Sequence, residues 1–381
     1  MIKSTEQQIL ALAKEVGFDL TQIIAVEDAH AHLIEHQNRL AALFDRGLTS
    51  SFISDSSLER SNINQLLPEA KSIILVGLAY QGGKLSKPKP LHGKLASSAQ
   101  GDDYHDKMYH MLTELINRMK PFLPEFKHYP FVDNKPIMEK ALAVKAGFGF
   151  FGKNSLLINK EKGSYFFLGG LITDIELCAQ GIDMIDEVSP ELGCEGCEKC
   201  LKACPTAAIE EAGVINTNKC LAQLTQLKGI IPRQFRNKFG YCLYGCDICQ
   251  QVCPYNQQDS HSGRGAAELN EHNLIEMLTM NNKEFAKSFG VTAAGWRGKT
   301  VLQRNAIIAL GNWGSKEAIP SLVKALGDQR PVIRAHAAWA LGKIGGIEVE
   351  IILKGAQEQE ENLEVLKEIT MAIIDCRQVN N

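Results

Sequence analysis

Nine of the eleven cysteines lie between Cys194 and Cys253, and seven of those nine fall into two blocks. The first is Cys194-x2-Cys197-x2-Cys200-x3-Cys204-Pro205, and the second holds Cys246-x2-Cys249-x3-Cys253-Pro254. Paired blocks of this kind are the ligand spacing of bacterial two-cluster ferredoxins, in which three cysteines wrap one [4Fe-4S] cube and the fourth crosses to the other. The chemistry this spacing predicts is electron transfer.

A zinc site would need two dithiol pairs and no trailing Cys-Pro, and a disulfide framework would need an oxidising compartment. The sequence starts Met1-Ile2-Lys3-Ser4-Thr5-Glu6 without an apolar leader segment, and no apolar run is long enough to span a membrane. The expectation is a cytoplasmic chain with reduced thiols. Two cubes need eight thiolates, and nine cysteines compete for the places. The ideal first cysteine of the second block would stand where Leu243 is; Cys242 misses by one place, and Cys220 lies sixteen residues after Cys204. A tripodal loop tolerates little change in spacing, because successive thiolates must reach adjacent irons. That favours Cys220 over Cys242. Cys178 and Cys376, outside the window, read as small buried residues.

Stepping outward from the cysteines, 381 residues at 45% hydrophobic content have room for two or three domains, far more than a ferredoxin alone. A net charge of -3 gives no global sign of nucleic-acid binding, so any such surface must be local. Two basic groups are candidates: Lys228, Arg233, Arg236 and Lys238, and then Arg297, Lys299, Arg304, Arg330 and Arg334. Either could be a solvated face.

The N-terminal half reads as mixed α and β. Helical periodicity covers residues 4–16, 28–45 and 104–120, and a helix from Pro136 runs to Gly147. Strand-like apolar runs cover 72–80, 155–159 and 165–174, and Asp133 stands at the end of another. The acidic segment 182–192 links this half to the cysteine module, and the polar stretch 259–265 follows it. From about residue 300 a repeat recurs at an offset of thirty-one, with Ala306/Ala337, Leu310/Leu341, Gly311/Gly342, Gly314/Gly345 and Leu322/Leu353 in register. Small residues at helical spacing before a glycine turn suit stacked helix pairs of the HEAT type. The fold class expected is α+β, divided as 1–181, 182–258 and 259–381.

One motif is refused. Gly147-Phe148-Gly149-Phe150-Phe151-Gly152-Lys153-Asn154 satisfies Gly-x-Gly-x-x-Gly and most of a P-loop. Both motifs need a strand before the glycines and a helix after, the reverse of the order here. The glycines should end a helix or permit a close backbone approach.

The cysteine blocks are joined, in order, by Gly101-x-Asp103-Tyr104-His105, Val132-Asp133, Ala146-Gly147-x-Gly149, Gly152-Lys153-Asn154-Ser155, Lys228-Gly229, Trp296-Arg297-Gly298-Lys299 and Gln303-Arg304-Asn305-Ala306. Together these resemble the epoxyqueuosine reductases, cobalamin-dependent iron-sulfur enzymes of queuosine biosynthesis in tRNA. The resemblance covers nearly the whole chain. It implies a cobalamin-binding catalytic domain, a ferredoxin-like module with two [4Fe-4S] clusters, and a HEAT-like tail that helps hold tRNA. The implied reaction is two-electron, two-proton removal of the epoxide oxygen of epoxyqueuosine, by a monomer served by an unidentified electron donor.

Carried over by motif, one cluster takes Cys194, Cys197, Cys200 and Cys253, and the other takes Cys204, Cys220, Cys246 and Cys249. Asp133 is implied as the acid, with a pKa raised by desolvation against the corrin face. Cobalamin contacts fall to Arg60, Asp133, Lys153, Asn154, Leu157, Leu168 and Asp247, and tRNA contacts to Lys228, Arg297, Lys299, Arg304 and Arg334. No Asp-x-His-x-x-Gly segment offers cobalt an imidazole; Asp28-Ala29-His30 and Asp103-Tyr104-His105 lack the glycine. Cobalamin should then bind without a histidine ligand. The stretch Leu95 to Gln100 matches nothing and receives no role. Two rival readings are a reductive dehalogenase acting on a small molecule, which leaves the basic repeats unexplained, and an electron-transfer scaffold, which leaves residues 1–180 without a purpose.

Overall fold

The structure is a computed structural model that describes residues 4–52, 60–83, 86–178, 193–257 and 270–379. The linkers expected at 182–192 and 259–265 lie outside the described residues. Two compact units result, one of Met1–Gly82, Asp103–Asn218 and Ile248–Ala267, the other of Gly83–Asp102, Lys219–Asp247 and Glu268–Asn381. The cysteine module is therefore not a unit of its own. Its first block and Cys249 and Cys253 belong to the first unit, and Cys220, Cys242 and Cys246 to the second.

The first unit is built on a four-stranded antiparallel sheet in the order Leu20–Ala25, Ser72–Ala79, Phe166–Thr173, His128–Val132. Successive side chains of a strand point to opposite faces, and here both faces are covered. Ile73 and Leu75 meet Leu33 and Leu142 from the helices Val26–Asp45 and Glu139–Lys145. Ile74, Val76 and Leu78 meet Ile9, Ala13, Met108 and Leu112 from Thr5–Val16 and Tyr104–Met119. Burial on both sides is why 72–80 reads as a continuous apolar run and not as an alternation. The helix expected from Pro136 is shorter than its periodicity suggests, Glu139–Lys145, and closes at Gly147 with φ +75°. Gly149 answers the question its motif raised: a Cβ there would stand 2.1 Å from the carbonyl oxygen of Ile158. The close approach is made by the chain's own hairpin, Phe150–Phe151 against Leu157–Ile158.

The second unit carries the helices Lys299–Trp313, Ile319–Leu326, Pro331–Ile344, Ile347–Gln359 and Leu363–Val379, with a small sheet of Cys242–Tyr244, His92–Leu95 and Glu271–Asn273. The repeat glycines set the helix spacing. A Cβ on Gly311 would meet the Trp339 ring at 2.7 Å, and one on Gly342 would meet the Ala372 backbone at 2.7 Å. Lys299–Trp313 and Leu363–Val379 thus each press against Pro331–Ile344 at a glycine. Among the described residues no helix is long and apolar enough to cross a membrane.

Candidate active site

The strand His128–Val132 ends at Asp133, and the helix Tyr104–Met119 begins at Asp103, whose carboxylate caps it by accepting from the backbone N–H of His105 at 3.0 Å. These two chain ends bring four polar side chains together. His105 Nδ1 lies 2.6 Å from Asp103 Oδ1, and His105 Nε2 lies 2.8 Å from Asp133 Oδ1. The Tyr104 hydroxyl donates to Asp133 Oδ2, and its ring stacks on Phe167 with centroids 3.8 Å apart. Asp133 itself has φ +26°, a conformation that side chains other than glycine rarely hold without surrounding support.

An imidazole between two carboxylates gains a proton readily. Partial burial pushes the His105 pKa down, but the hydrogen bonds and charges of Asp133 and Asp103 together outweigh it and leave the ring at about 9. Partial burial pushes Asp133 up, yet bonds from His105 and Tyr104 outweigh that too and hold it below the usual carboxylate range. The rise expected for Asp133 depends on desolvation against the corrin face; the protein's own groups pull the other way, because His105 and Tyr104 both bond its carboxylate. The sequence reading quoted Tyr104 and His105 but gave neither a role. Their partner stands 28 residues away, and only the fold joins them.

Cys194, Cys197, Cys200 and Cys253 line a cavity of about 320 Å³, together with Lys153, Asn154 and Tyr255. Among the described residues no three His, Cys, Asp or Glu side chains close round a single ion. Thiols set apart around a cavity suit a four-iron cube, whose irons are each bound by one of them. Burial and the neighbouring Cys194 push the Cys200 thiol up to about 11, and a bound cationic centre acts in the opposite sense on a thiol that ligates it. Cys253 is held from behind. Asn256 Oδ1 accepts from Ser164 N–H at 2.7 Å, its Nδ2 donates to the Gln250 carbonyl at 2.8 Å, and Tyr255 donates to the Gly193 carbonyl at 3.0 Å. Cys242 likewise has its thiol pushed up, to about 12, by burial first and by Asp247 second. Cys376 is buried as expected, whereas Cys178 is exposed, so the reading of it as a small core residue is corrected.

The residues named for cobalamin divide into two groups. Among the described residues Arg60 Nε and Glu139 Oε1 are both buried without a hydrogen-bond partner, a donor and an acceptor of the kind an amide-rich ligand would satisfy. Lys153 is half-buried and Leu168 is partly covered by the core. Leu157, however, is itself a core residue, and buried Asn154 turns its side-chain oxygen to Leu156 N–H at 3.3 Å. Asp247 is engaged within the second unit, accepting from both the N–H and the hydroxyl of Ser97 at 2.6 Å. Ser97 opens the turn Ser97–Ala99, inside the stretch to which the sequence reading gave nothing.

The basic groups are altered more. Arg304 is 1% exposed, and its guanidinium donates to the carbonyls of Leu227, at 2.5 Å, and Gly229, at 3.1 Å. It also donates to Asn305 Oδ1 at 2.7 Å. A group so enclosed cannot meet a phosphate, which removes Arg304 from the direct RNA contacts. Arg236 is fully buried and forks onto Glu368 at 2.6 and 2.8 Å, while Arg233 pairs with Glu368 and Asp375. Arg334 is forked onto Glu360 at 2.6 and 2.7 Å. Arg297 donates to the Gln226 carbonyl at 2.7 Å, Lys299 reaches the Met280 carbonyl at 3.3 Å, and Lys228 is exposed.

With this geometry in view, family models match three stretches: "Epoxyqueuosine reductase QueG, DUF1730" over 60–134, "4Fe-4S double cluster binding domain" over 193–256, and "HEAT repeats" over 298–374. Epoxyqueuosine reductase of Bacillus cereus is 36% identical over 380 residues, covering 97% of this chain and 96% of its own. The chain belongs to the epoxyqueuosine reductase family. The Bacillus subtilis epoxyqueuosine reductase is 34% identical over 96% of this chain and 95% of its own. A crystal structure of epoxyqueuosine reductase with an epoxyqueuosine-modified tRNA-Tyr stem loop superposes with a TM-score of 0.87 at 33% identity, over 97% of this chain and 98% of that one. The Streptococcus thermophilus epoxyqueuosine reductase gives 0.85 at 32% identity, over 98% and 99%. Membership makes the chain an oxidoreductase of α+β fold that uses [4Fe-4S] clusters and cobalamin.

Proposed function

We propose that this chain reduces the epoxide of epoxyqueuosine in the anticodon loop of a tRNA to the alkene of queuosine, in the cytoplasm, with two electrons and two protons consumed and one water released. The observation that carries this reading is the line Asp103, His105, Asp133, in a chain related along nearly its whole length to epoxyqueuosine reductases. Cobalamin, when bound, supplies the two electrons, which the clusters deliver singly. The protein's own part is the proton. Opening the epoxide leaves negative charge on oxygen, and Asp133 is the residue set to face it. As that charge develops, it raises the proton affinity of Asp133, and the proton on His105 Nε2 moves to Asp133 Oδ1 and on to the substrate oxygen. His105 is thus a positioning residue and proton store, and Asp133 the catalytic acid. A relative from Bacillus subtilis has been seen with its catalytic aspartate loop swung out of the active site; a loop that moves agrees with the strained backbone at Asp133.

Arg60, Asp133, Lys153 and Leu168 remain the proposed cobalamin contacts, and Lys228, Arg297 and Lys299 the proposed tRNA contacts. The cluster ligands proposed are Cys194, Cys197, Cys200 and Cys253 for one and Cys204, Cys220, Cys246 and Cys249 for the other. Iron analysis tests the second set: Cys220→Ser should remove about half the iron of anaerobically reconstituted protein, while Cys242→Ser keeps all of it. Incubating the reconstituted holoenzyme, a reductant and a stem-loop RNA bearing epoxyqueuosine, then measuring the nucleoside by mass spectrometry, tests the function. Loss of one oxygen mass is expected, and unchanged epoxyqueuosine in the presence of reduced clusters would refute the reading.

A further inference from the structure

Trp296 was quoted as part of a motif and received no role, yet its setting is unlike that of an ordinary surface aromatic. It lies in the short turn Ala293–Arg297 and is 56% exposed. A lone exposed apolar side chain is common and carries no information. This one is fixed in place. Its indole N–H donates to the Tyr244 hydroxyl at 2.7 Å, with Gln226 Oε1 also at 3.2 Å. The Arg297 guanidinium lies 4.5 Å from its ring centroid, and Arg297 Nε is in turn fastened to the Gln226 carbonyl. The loop that supplies Gln226 is itself held rigid by buried Arg304 and by Asn305, whose Nδ2 donates to the Thr225 carbonyl at 2.7 Å. The turn Ser97–Ala99 packs against the Trp296 turn within the same unit.

A large aromatic surface kept open to water, locked at its polar edge and carrying a stacked guanidinium, is the set of features with which proteins hold unpaired bases. Locking matters because ordering a free side chain on binding would consume part of the gain. We propose that Trp296 is a stacking platform for one unpaired nucleobase of the RNA loop, with Arg297 adding positive charge beside it. This rests on the RNA reading above and adds a residue and a contact to it.

The test is the affinity of reconstituted holoenzyme for an unmodified anticodon stem-loop RNA, with Trp296→Ala, Trp296→Phe, Trp296→Leu and Tyr244→Phe compared. Base stacking on an aromatic predicts a loss on the order of 10- to 100-fold for the Ala variant, recovery to within about 3-fold for Phe, and no recovery for Leu. Tyr244→Phe, which loosens the indole but leaves it present, should fall between wild type and Ala. With 2-aminopurine placed in turn at each purine of the loop, one position should be quenched by wild type and not by Trp296→Ala. Equal affinity of Ala and wild type, or recovery by Leu as full as by Phe, would overturn the platform while leaving RNA binding intact. Failure of the wild type to bind the stem-loop at all would overturn the RNA reading itself.

Discussion

The molecule holds two clusters of charged side chains that behave in opposite ways. In the first unit His105 stands between Asp103 and Asp133 with its partner carboxylate half open to water. In the second, Arg304 and Arg236 are enclosed by carbonyls and by Glu368. In the open cluster an imidazole and a carboxylate half open to water share a hydrogen bond, so a proton can pass between them and outward. The enclosed one cannot change state without leaving a buried group unpaired; burial, with Arg297 and Arg236 nearby, brings Arg304 down only to about 9, and it remains a cation at neutral pH. Solvent access, more than residue type, separates a group that does chemistry from one that holds a loop.

The largest effect belongs to the open cluster. Asp133→Asn should keep both clusters and cobalamin but lower turnover by about 10²- to 10⁴-fold, since an amide of nearly the same shape cannot pass on the proton. Single-turnover reduction of the modified stem-loop under excess reductant measures it. A rate near that of wild type would place Asp133 among the structural residues and erase the contrast with Arg304.

For the enclosed cluster the effect should appear in stability. Arg304→Met removes a guanidinium from the carbonyls of Leu227 and Gly229 and leaves them buried without a donor, which should cost about 3 kcal/mol in the unfolding of the second unit, read by urea denaturation. Were Arg304 a phosphate ligand, stability would hold and the salt dependence of RNA affinity would flatten. The two outcomes do not overlap.

How far each cluster could be read from the sequence follows from the same difference. The cysteine blocks were legible because their ligand spacing is local, and the helices 5–16 and 104–119 because one apolar stripe faces one core. The strand Leu20–Ala25 escaped notice, since Thr21 and Gln22 interrupt a run only six residues long. His105 and Asp133 are joined through the ends of two different elements, a contact no local pattern encodes. Arg304 was misread for a related reason. Every residue from Val301 to Gly311 is buried, so its helix has no solvent face on which an arginine could point outward. The uniformly apolar neighbours Ile307, Ile308, Ala309 and Leu310 were the available sign that this arginine is internal.

The open cluster should also report itself through pH. A His105 pKa raised from 6.5 to about 9 means that the protonated ring, and the stability it contributes, is fully present below about 6.5 and lost as pH rises through 9. Asp133, held below its usual value, loses its contribution only as pH falls through the acid range. Turnover should therefore fall on the alkaline side near pH 9. Asp103→Asn withdraws one of the two carboxylates and should bring that limb down by roughly one pH unit, without touching Asp133, the residue proposed to face the substrate. An alkaline limb that stays in place would mean that His105 does not store the proton.

The smallest effect tests what remains of the basic surface once the enclosed arginines are set aside. Lys228 is exposed, on the loop whose neighbouring carbonyls at Leu227 and Gly229 are fixed by Arg304. If the buried arginine exists to hold that loop, the lysine it presents is the one that meets phosphate. Neutralising one phosphate releases about one counterion, so Lys228→Met should lower the slope of log affinity against log salt by roughly 0.9 and weaken binding several-fold at low salt, alike for every cognate tRNA. Stability should not change, in contrast to Arg304→Met, because nothing buried is disturbed. A variant with an unchanged slope would break the link between the two residues. The loop would then be rigid for another purpose, such as holding Gln226 beneath Trp296, and the phosphate contacts would fall to Arg297 and Lys299.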